Sequence, residues 1–142
     1  MKPITALLAV FFGLVAFSSA VFSQTSEKPE DLAQKSAQAW LSLTDSDKYA
    51  EAWRNASQGF KTAFPQNEFV SALTGVREPL GKLLSRKLKS AIYAKQLPGA
   101  PDGEYVVIQY ETSFADKAAA LETATETRDK DGQWRIAGYF IK

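Results

Sequence analysis

Apolar residues recur at every third or fourth position from Ala33 to Leu80 and at every second position beyond Gly81. The chain therefore divides into a helical first half and a β second half. Ala33, Ala37, Trp40, Leu41 and Thr44 form one stripe, with Gln34, Lys35 and Gln38 off it, as in a helix buried along one side. Asp45, Ser46 and Asp47 interrupt the stripe and are candidate N-caps for a second helix carrying Tyr49, Trp53, Ala56 and Phe60. Pro65 opens a third helix, since proline is tolerated in a first turn and Glu68 suits the positive end, with Phe69, Ala72, Leu73, Val76 and Leu80 as its face. Pro79 and Gly81 end it.

Lys82 to Gln96 alternates, placing Leu84, Arg86, Leu88 and Ile92 on one face and Lys87, Lys89, Tyr93 and Lys95 on the other. Leu97 to Gly103, with two prolines and Asp102-Gly103, reads as a turn. Glu104 to Phe114 is rich in Val, Ile, Tyr and Thr, and Gln133 to Ile141 repeats that character after the hairpin signal Asp129-Lys130-Asp131-Gly132. Lys117 to Arg128 is mixed: Ala118 to Leu121 favour helix, whereas Thr123, Thr125 and Thr127 alternate as in a strand, and a strand is expected. The predicted fold is α+β, with three N-terminal helices packed on a curled four-stranded antiparallel sheet.

Ahead of the helices, Met1-Lys2 precede an apolar run from Ile4 to Phe17, followed by small residues. At about 14 residues the run is short of the roughly 20 that span a bilayer, and it has the form of a secretory signal peptide. Small residues permit cleavage after Ala20 or after Ser23, and Ser23 is preferred. The expected organisation is a signal peptide over 1–23, a flexible polar leader over 24–30 and a single domain over 31–142, in a periplasmic or secreted product with no membrane attachment after cleavage. Cleavage takes Lys2 from 17 basic residues and none of the 16 acidic ones, leaving the two counts equal. That balance argues against a nucleic-acid partner, and in the basic run Ser85 to Lys89 alternation sends Lys87 and Lys89, with Lys95, to a face that reads as solvated.

The segments Ala37-Gln38-Ala39-Trp40-Leu41, Ser85-Arg86-Lys87-Leu88-Lys89-Ser90-Ala91 and Leu97-Pro98-Gly99-Ala100-Pro101-Asp102-Gly103, continuing through Glu104 to Gln109, Thr112 to Ala115 and the strand from Trp134 to Ile141, resemble the bacterial family called domain of unknown function 4019. The resemblance covers nearly all of the chain after the signal peptide. It implies a small exported domain of the cystatin-like or nuclear-transport-factor-2-like kind, with no assigned activity and no catalytic residues to carry over.

The chain has no histidine and no cysteine, which removes imidazole bases, thiolate nucleophiles, disulfides and the usual nitrogen and sulfur zinc ligands. Its eight glycines form neither a dinucleotide nor a phosphate-loop motif, and no G-x-S-x-G or S-x-x-K nucleophile motif occurs. Asp129-x-Asp131-Gly132 is too short for a calcium loop. No catalytic residue, metal site or cofactor is assigned.

Arg86 is the most informative side chain, because a guanidinium among apolar neighbours on an inward strand face must be paired or must bind an anion. One reading is a buried ion pair with Glu51, Glu68 or Glu111. Another is a ligand cavity in which Arg86 holds an anion and Tyr110 adds a hydroxyl. Tyr49 and Trp53, at i and i+4 on one helix stripe, read either as core packing against the sheet or as an aromatic ligand box. Tyr93, Tyr105 and Tyr139, with Val107 and Ile141, are expected on an open sheet face, a candidate interface for a partner or a homodimer. The leading expectation is a non-catalytic domain binding a small ligand or a protein through the cavity or the open face. Its rival is a histidine-free isomerase or dehydratase using Tyr110 or Glu111 for proton transfer, with Arg86 as electrostatic stabiliser.

Overall fold

A computed structural model describes residues 25–142, so the signal-peptide segment lies outside the described residues. The order of elements is α1 (Pro29–Asp45), α2 (Tyr49–Arg54), α3 (Gln58–Ala63), α4 (Gln66–Arg77), a 3-10 turn (Glu78–Leu80), then β1 (Leu83–Ala94), β2 (Tyr105–Phe114), β3 (Lys117–Arg128) and β4 (Trp134–Ile141). The strands form an antiparallel meander in the order β1-β2-β3-β4, which gives the α+β class. None of the described helices is long and apolar enough to cross a membrane.

The first helix follows the sequence pattern closely. Pro29 sits in its first turn with Glu30 and Asp31 at the positive end, and Ala33, Ala37, Trp40, Leu41 and Thr44 are all buried. Its last turn holds no basic residue and ends on Asp45, an unfavourable charge at the negative end of a helix. Arg77 and Arg86, brought in by other elements, compensate for it.

Among the described residues the helices number four where three were expected. The stripe from Tyr49 to Phe60 breaks at Ser57, whose backbone N–H leaves the helical ladder to donate to the Ile136 carbonyl of β4 at 2.9 Å. The Ser57 hydroxyl then accepts from the Phe60 N–H at 3.2 Å and caps α3. A side chain that reads as part of a continuous helix is therefore the joint between two short ones, 2% exposed and held by the sheet. Further on, α4 runs to Arg77, and Gly81 turns the chain into the sheet at φ 70° and ψ −161°, a conformation open essentially to glycine alone.

All four predicted strands form, including Lys117–Arg128. The facing of β1 differs from strict alternation, because pairing with β2 slips between Leu83 and Ser85 and again between Leu88 and Ser90. Each slip adds a residue and reverses the facing of the positions beyond it. Arg86 stays inward, opposite Thr112, while Leu84 and Ile92, expected beside it, are 65% and 62% exposed. Tyr93, expected on the open face, lies opposite Val106 and packs on the core. A similar slip between Thr125 and Glu126 lets both Ile136 and Tyr139 of β4 face inward. The helix-facing side of β2 is apolar at Val106, Ile108, Tyr110 and Phe114, and with α1 and α4 it encloses the core.

Candidate functional site

Arg86 lies between two carboxylates brought in by different elements. Its Nε donates to Glu122 Oε1 at 2.7 Å and its Nη2 to Glu122 Oε2 at 3.2 Å, tying β1 to β3. Nη1 and Nη2 also donate to the two Asp45 oxygens at 2.7 and 2.9 Å, tying β1 to the end of α1. Arg77, from the end of α4, donates to Asp45 at 2.8 Å and to the Thr44 hydroxyl at 3.0 Å, and its guanidinium lies 5.0 Å from the Phe114 ring centre. Burial alone would raise the Asp45 pKa, but hydrogen bonds and charge from Arg86 and Arg77 hold it below the ordinary carboxylate range. Burial likewise opposes the charge on Arg86, and the two acids reverse that and raise its pKa.

Glu122 is fully buried and also accepts from Thr112 Oγ1 at 2.5 Å and from the Tyr139 hydroxyl. Two arginines and two acids thus close on one another, with Glu122 taking the four hydrogen bonds a carboxylate can accept. The ion pair is of the kind anticipated for Arg86, but Asp45 and Glu122 take the place of Glu51, Glu68 and Glu111. Glu111 is exposed, opposite Lys87 on the other face of the sheet.

The aromatic candidates disperse. Tyr49 is buried and its hydroxyl donates to Asp47 Oδ1 at 3.0 Å, whereas Trp53 donates through Nε1 to the Phe64 carbonyl at 2.6 Å. Tyr110 is 3% exposed in the core, opposite Leu88 and Glu122, and burial pushes its hydroxyl up to about 12. Tyr105 faces the open side but lies under the loop between β1 and β2, where it donates to the Pro101 carbonyl at 2.6 Å. The Tyr93 hydroxyl donates to Glu104 at 3.1 Å, and the Tyr139 ring packs edge-on against Trp40 at 5.0 Å. Ile92 and Phe140, 62% and 50% exposed, are among the apolar groups that emerge on the open face instead.

Sequence reasoning passed over Glu126. This residue is fully buried on the inner face of β3 between Val106 and Ile136, and among the described residues neither carboxylate oxygen has a hydrogen-bond partner. Burial pushes its pKa up to about 8. Period-two reading does place Ala120, Glu122, Ala124 and Glu126 together, opposite Leu121, Thr123, Thr125 and Thr127. Neither set is clearly the apolar one, so the pattern alone did not single out the buried face.

An apolar groove of about 440 Å³ runs between α3, α4 and β4, walled by Phe60, Phe64, Phe69, Val76, Phe140 and Ile141. Phe64, at the end of α3, and Val76, on α4, are 50% and 45% exposed. Along β4 the outer edge changes character midway. The Trp134 carbonyl accepts from the Ser36 hydroxyl at 2.8 Å and the Ile136 carbonyl accepts from Ser57, which caps the first half. Beyond it, Lys142 and Leu121 exchange backbone bonds at 3.0 Å, and antiparallel alternation then turns the N–H and C=O groups of Tyr139 and Ile141 away from β3. A larger cleft of about 680 Å³ at Arg54, Lys61 and Lys130 is polar, and its acids Asp129 and Asp131 are bound by Arg135 at 3.0 and 2.8 Å.

A search of curated proteins finds no match. The family model for a protein of unknown function, DUF4019, matches residues 36–139, from the middle of α1 to Tyr139 in the last strand, and so takes in Arg86 with its carboxylate partners Asp45 and Glu122. By that match the chain belongs to the DUF4019 family.

Proposed function

We propose that this chain is an exported, non-catalytic protein-binding module that takes an extended apolar segment of a partner protein into the groove beside β4. The observation that carries this reading is the coincidence of two features at one place. The open half of the β4 edge, at Tyr139 and Ile141, supplies main-chain donors and acceptors, and aromatic and aliphatic side chains from α3 and α4 line the adjoining wall. An added strand takes its affinity from main-chain hydrogen bonds and its selectivity from pockets for alternate side chains. The open edge offers main-chain groups at Tyr139 and Ile141 over only a few residues, a length that suits a short extended peptide better than a strand from a second copy.

Export is supported by the apolar run from Ile4 to Phe17 and the small residues after it. One long helix laid on an antiparallel meander is also what supports a cystatin-like assignment. The isomerase or dehydratase reading gains no comparable observation, since the guanidinium it would need is already engaged by Asp45 and Glu122.

The test is selection of binding peptides from a random displayed library against the purified domain lacking residues 1–23. Enriched peptides should be apolar at alternate positions, shift the Tyr139 and Ile141 amide resonances, and fail to bind Val76→Asp. Because Val76 is 45% exposed, that variant should keep wild-type stability to within about 0.5 kcal/mol. Peptides that bind Val76→Asp as well as wild type, or that shift resonances on β1 instead, would overturn the groove. A dimer in sedimentation that Phe140→Asp dissolves would replace the peptide with a second copy.

A further inference from the structure

Burying a carboxyl costs free energy unless it is neutral or well partnered, and Glu126 has no charged partner within reach among the described residues. What lies around it is the contact between α1 and the sheet. Ala33 and Ala37 of α1 are core residues there, Val106 and Ile136 flank Glu126 on the neighbouring strands, and the buried Tyr110 hydroxyl is likewise unpaired among the described residues. Ser36 of α1 lies close enough to favour ionisation slightly, but its single hydroxyl proton is committed to the Trp134 carbonyl at 2.8 Å.

Several titratable and charged groups on the elements around Glu126 are engaged elsewhere. Lys35 of α1 pairs with Glu27, Tyr93 of β1 and Arg128 of β3 both donate to Glu104, and Arg135 of β4 is bound by Asp129 and Asp131. Glu122, the next acid on the same face of β3, is saturated by Arg86, Thr112 and Tyr139. A charge formed at Glu126 therefore finds no counter-ion among the described residues and must be met by water.

A cavity close to Glu126 gives water a way in. A cavity of about 340 Å³ between α1, α2 and the start of β4 has Ser36, Trp40 and Trp134 in its wall, so the Ser36–Trp134 hydrogen bond stands between that cavity and Glu126. We propose that Glu126 is a proton-controlled latch beneath α1: the protonated form keeps the helix seated, and loss of the proton breaks the Ser36–Trp134 tie, admits water and lifts the N-terminal half of α1 from the sheet. The C-terminal half stays pinned through Asp45 to Arg86 and Arg77. The helix thus opens from one end, exposing the inner face of β3 and β4. The inference is independent of the groove and of any partner.

Amide hydrogen exchange on the intact domain at pH 6 and pH 9.5, corrected for the intrinsic rate, tests it. Protection of Ala37 should fall at least tenfold at the higher pH while Ile108 and Ala124 in the central strands keep theirs, and Glu126→Gln should abolish the difference. Glu126→Leu serves if the amide variant does not fold, and it should likewise show no difference between the two pH values. Equal protection of Ala37 at both pH values, the same fall in the Gln or Leu variant, or parallel loss at Ile108 and Ala124 would overturn the latch. So would a Glu126 carboxyl resonance that titrates in the ordinary carboxylate range.

Discussion

Arg86 donates to both oxygens of Asp45, at 2.7 and 2.9 Å, so that the edge strand β1 is bolted to the negative end of α1. The bolt is of opposite charge to the helix terminus it meets, and Glu122 neutralises its other side. The arrangement makes the guanidinium a structural element, and its removal leaves the buried Glu122 and the partly buried Asp45 short of donors.

Arg86→Met should therefore destabilise the domain by about 3–5 kcal/mol, the cost of orphaning one side of a buried pair. Urea denaturation monitored by circular dichroism checks this. Arg86→Lys should recover only part of the loss, because an ammonium cannot span both carboxylates as the planar fork does. A wild-type midpoint for Arg86→Met would mean that the network contributes nothing net.

Stability should vary with pH in opposite senses at the two ends of the scale. Burial raises the Glu126 pKa from 4.5 to about 8, so the folded state holds the proton more tightly than the unfolded chain. Stability from this group is complete below pH 4.5, declines as pH rises toward 8 and levels off above it, with a ceiling of roughly 5 kcal/mol. Asp45, held low, acts the other way: its contribution is present above the ordinary carboxylate range and is lost as pH falls through its lowered value. Urea midpoints from pH 3 to pH 9 should peak near pH 4–5, and Glu126→Gln should flatten the alkaline limb alone. An alkaline limb of equal slope in that variant would assign the effect to another group.

Ser57→Ala removes the hydroxyl that caps α3 while leaving the Ser57 N–H bond to Ile136 in place. The expected loss is about 1 kcal/mol, typical of an N-cap. A thermal melt should show it with the native far-ultraviolet spectrum retained. A melt unchanged from wild type would show that the joint between α2 and α3 is held by the backbone bond alone.

Gly81→Ala should cost of order 1–3 kcal/mol, since φ of 70° with ψ of −161° excludes side-chain-bearing residues. A Cβ there would also lie 2.7 Å from Asp116 Oδ2 and 3.1 Å from Ala115 Cβ; the carboxyl ends a flexible exposed side chain and can move aside, whereas the Ala115 Cβ is fixed to the backbone. Backbone strain and the Ala115 contact thus outlast removal of the carboxyl, and adding Asp116→Ala to Gly81→Ala should recover little of the stability. Full recovery in the double variant would assign the cost to the clash.

Periodicity identified α1 with its buried stripe and all four strands, the mixed segment Lys117–Arg128 among them, because those patterns are local and repeat over many residues. It also marked Arg86 as a charge in need of a partner, and composition excluded histidine and cysteine chemistry outright. The break at Ser57 was not legible, because an Ile136 carbonyl that lies far along the chain causes it. Nor were the slips in β1 and between Thr125 and Glu126, since each is set by the partner strand and each reverses the facing of every residue beyond it.

Those reversals decide the chemistry. They set Tyr93 and Tyr139 inward and Ile92 outward, and the register of the sheet and its docking against α1 bring Arg86 to Glu122 and Asp45, 36 and 41 positions away. The amino-acid order by itself determined which segments are helix and strand and which reagents the protein lacks, because backbone period and composition are properties of neighbours in the chain. The tertiary structure alone decided that Glu122 is saturated and Glu126 is not, because the partners of a buried charge are chosen by register and packing.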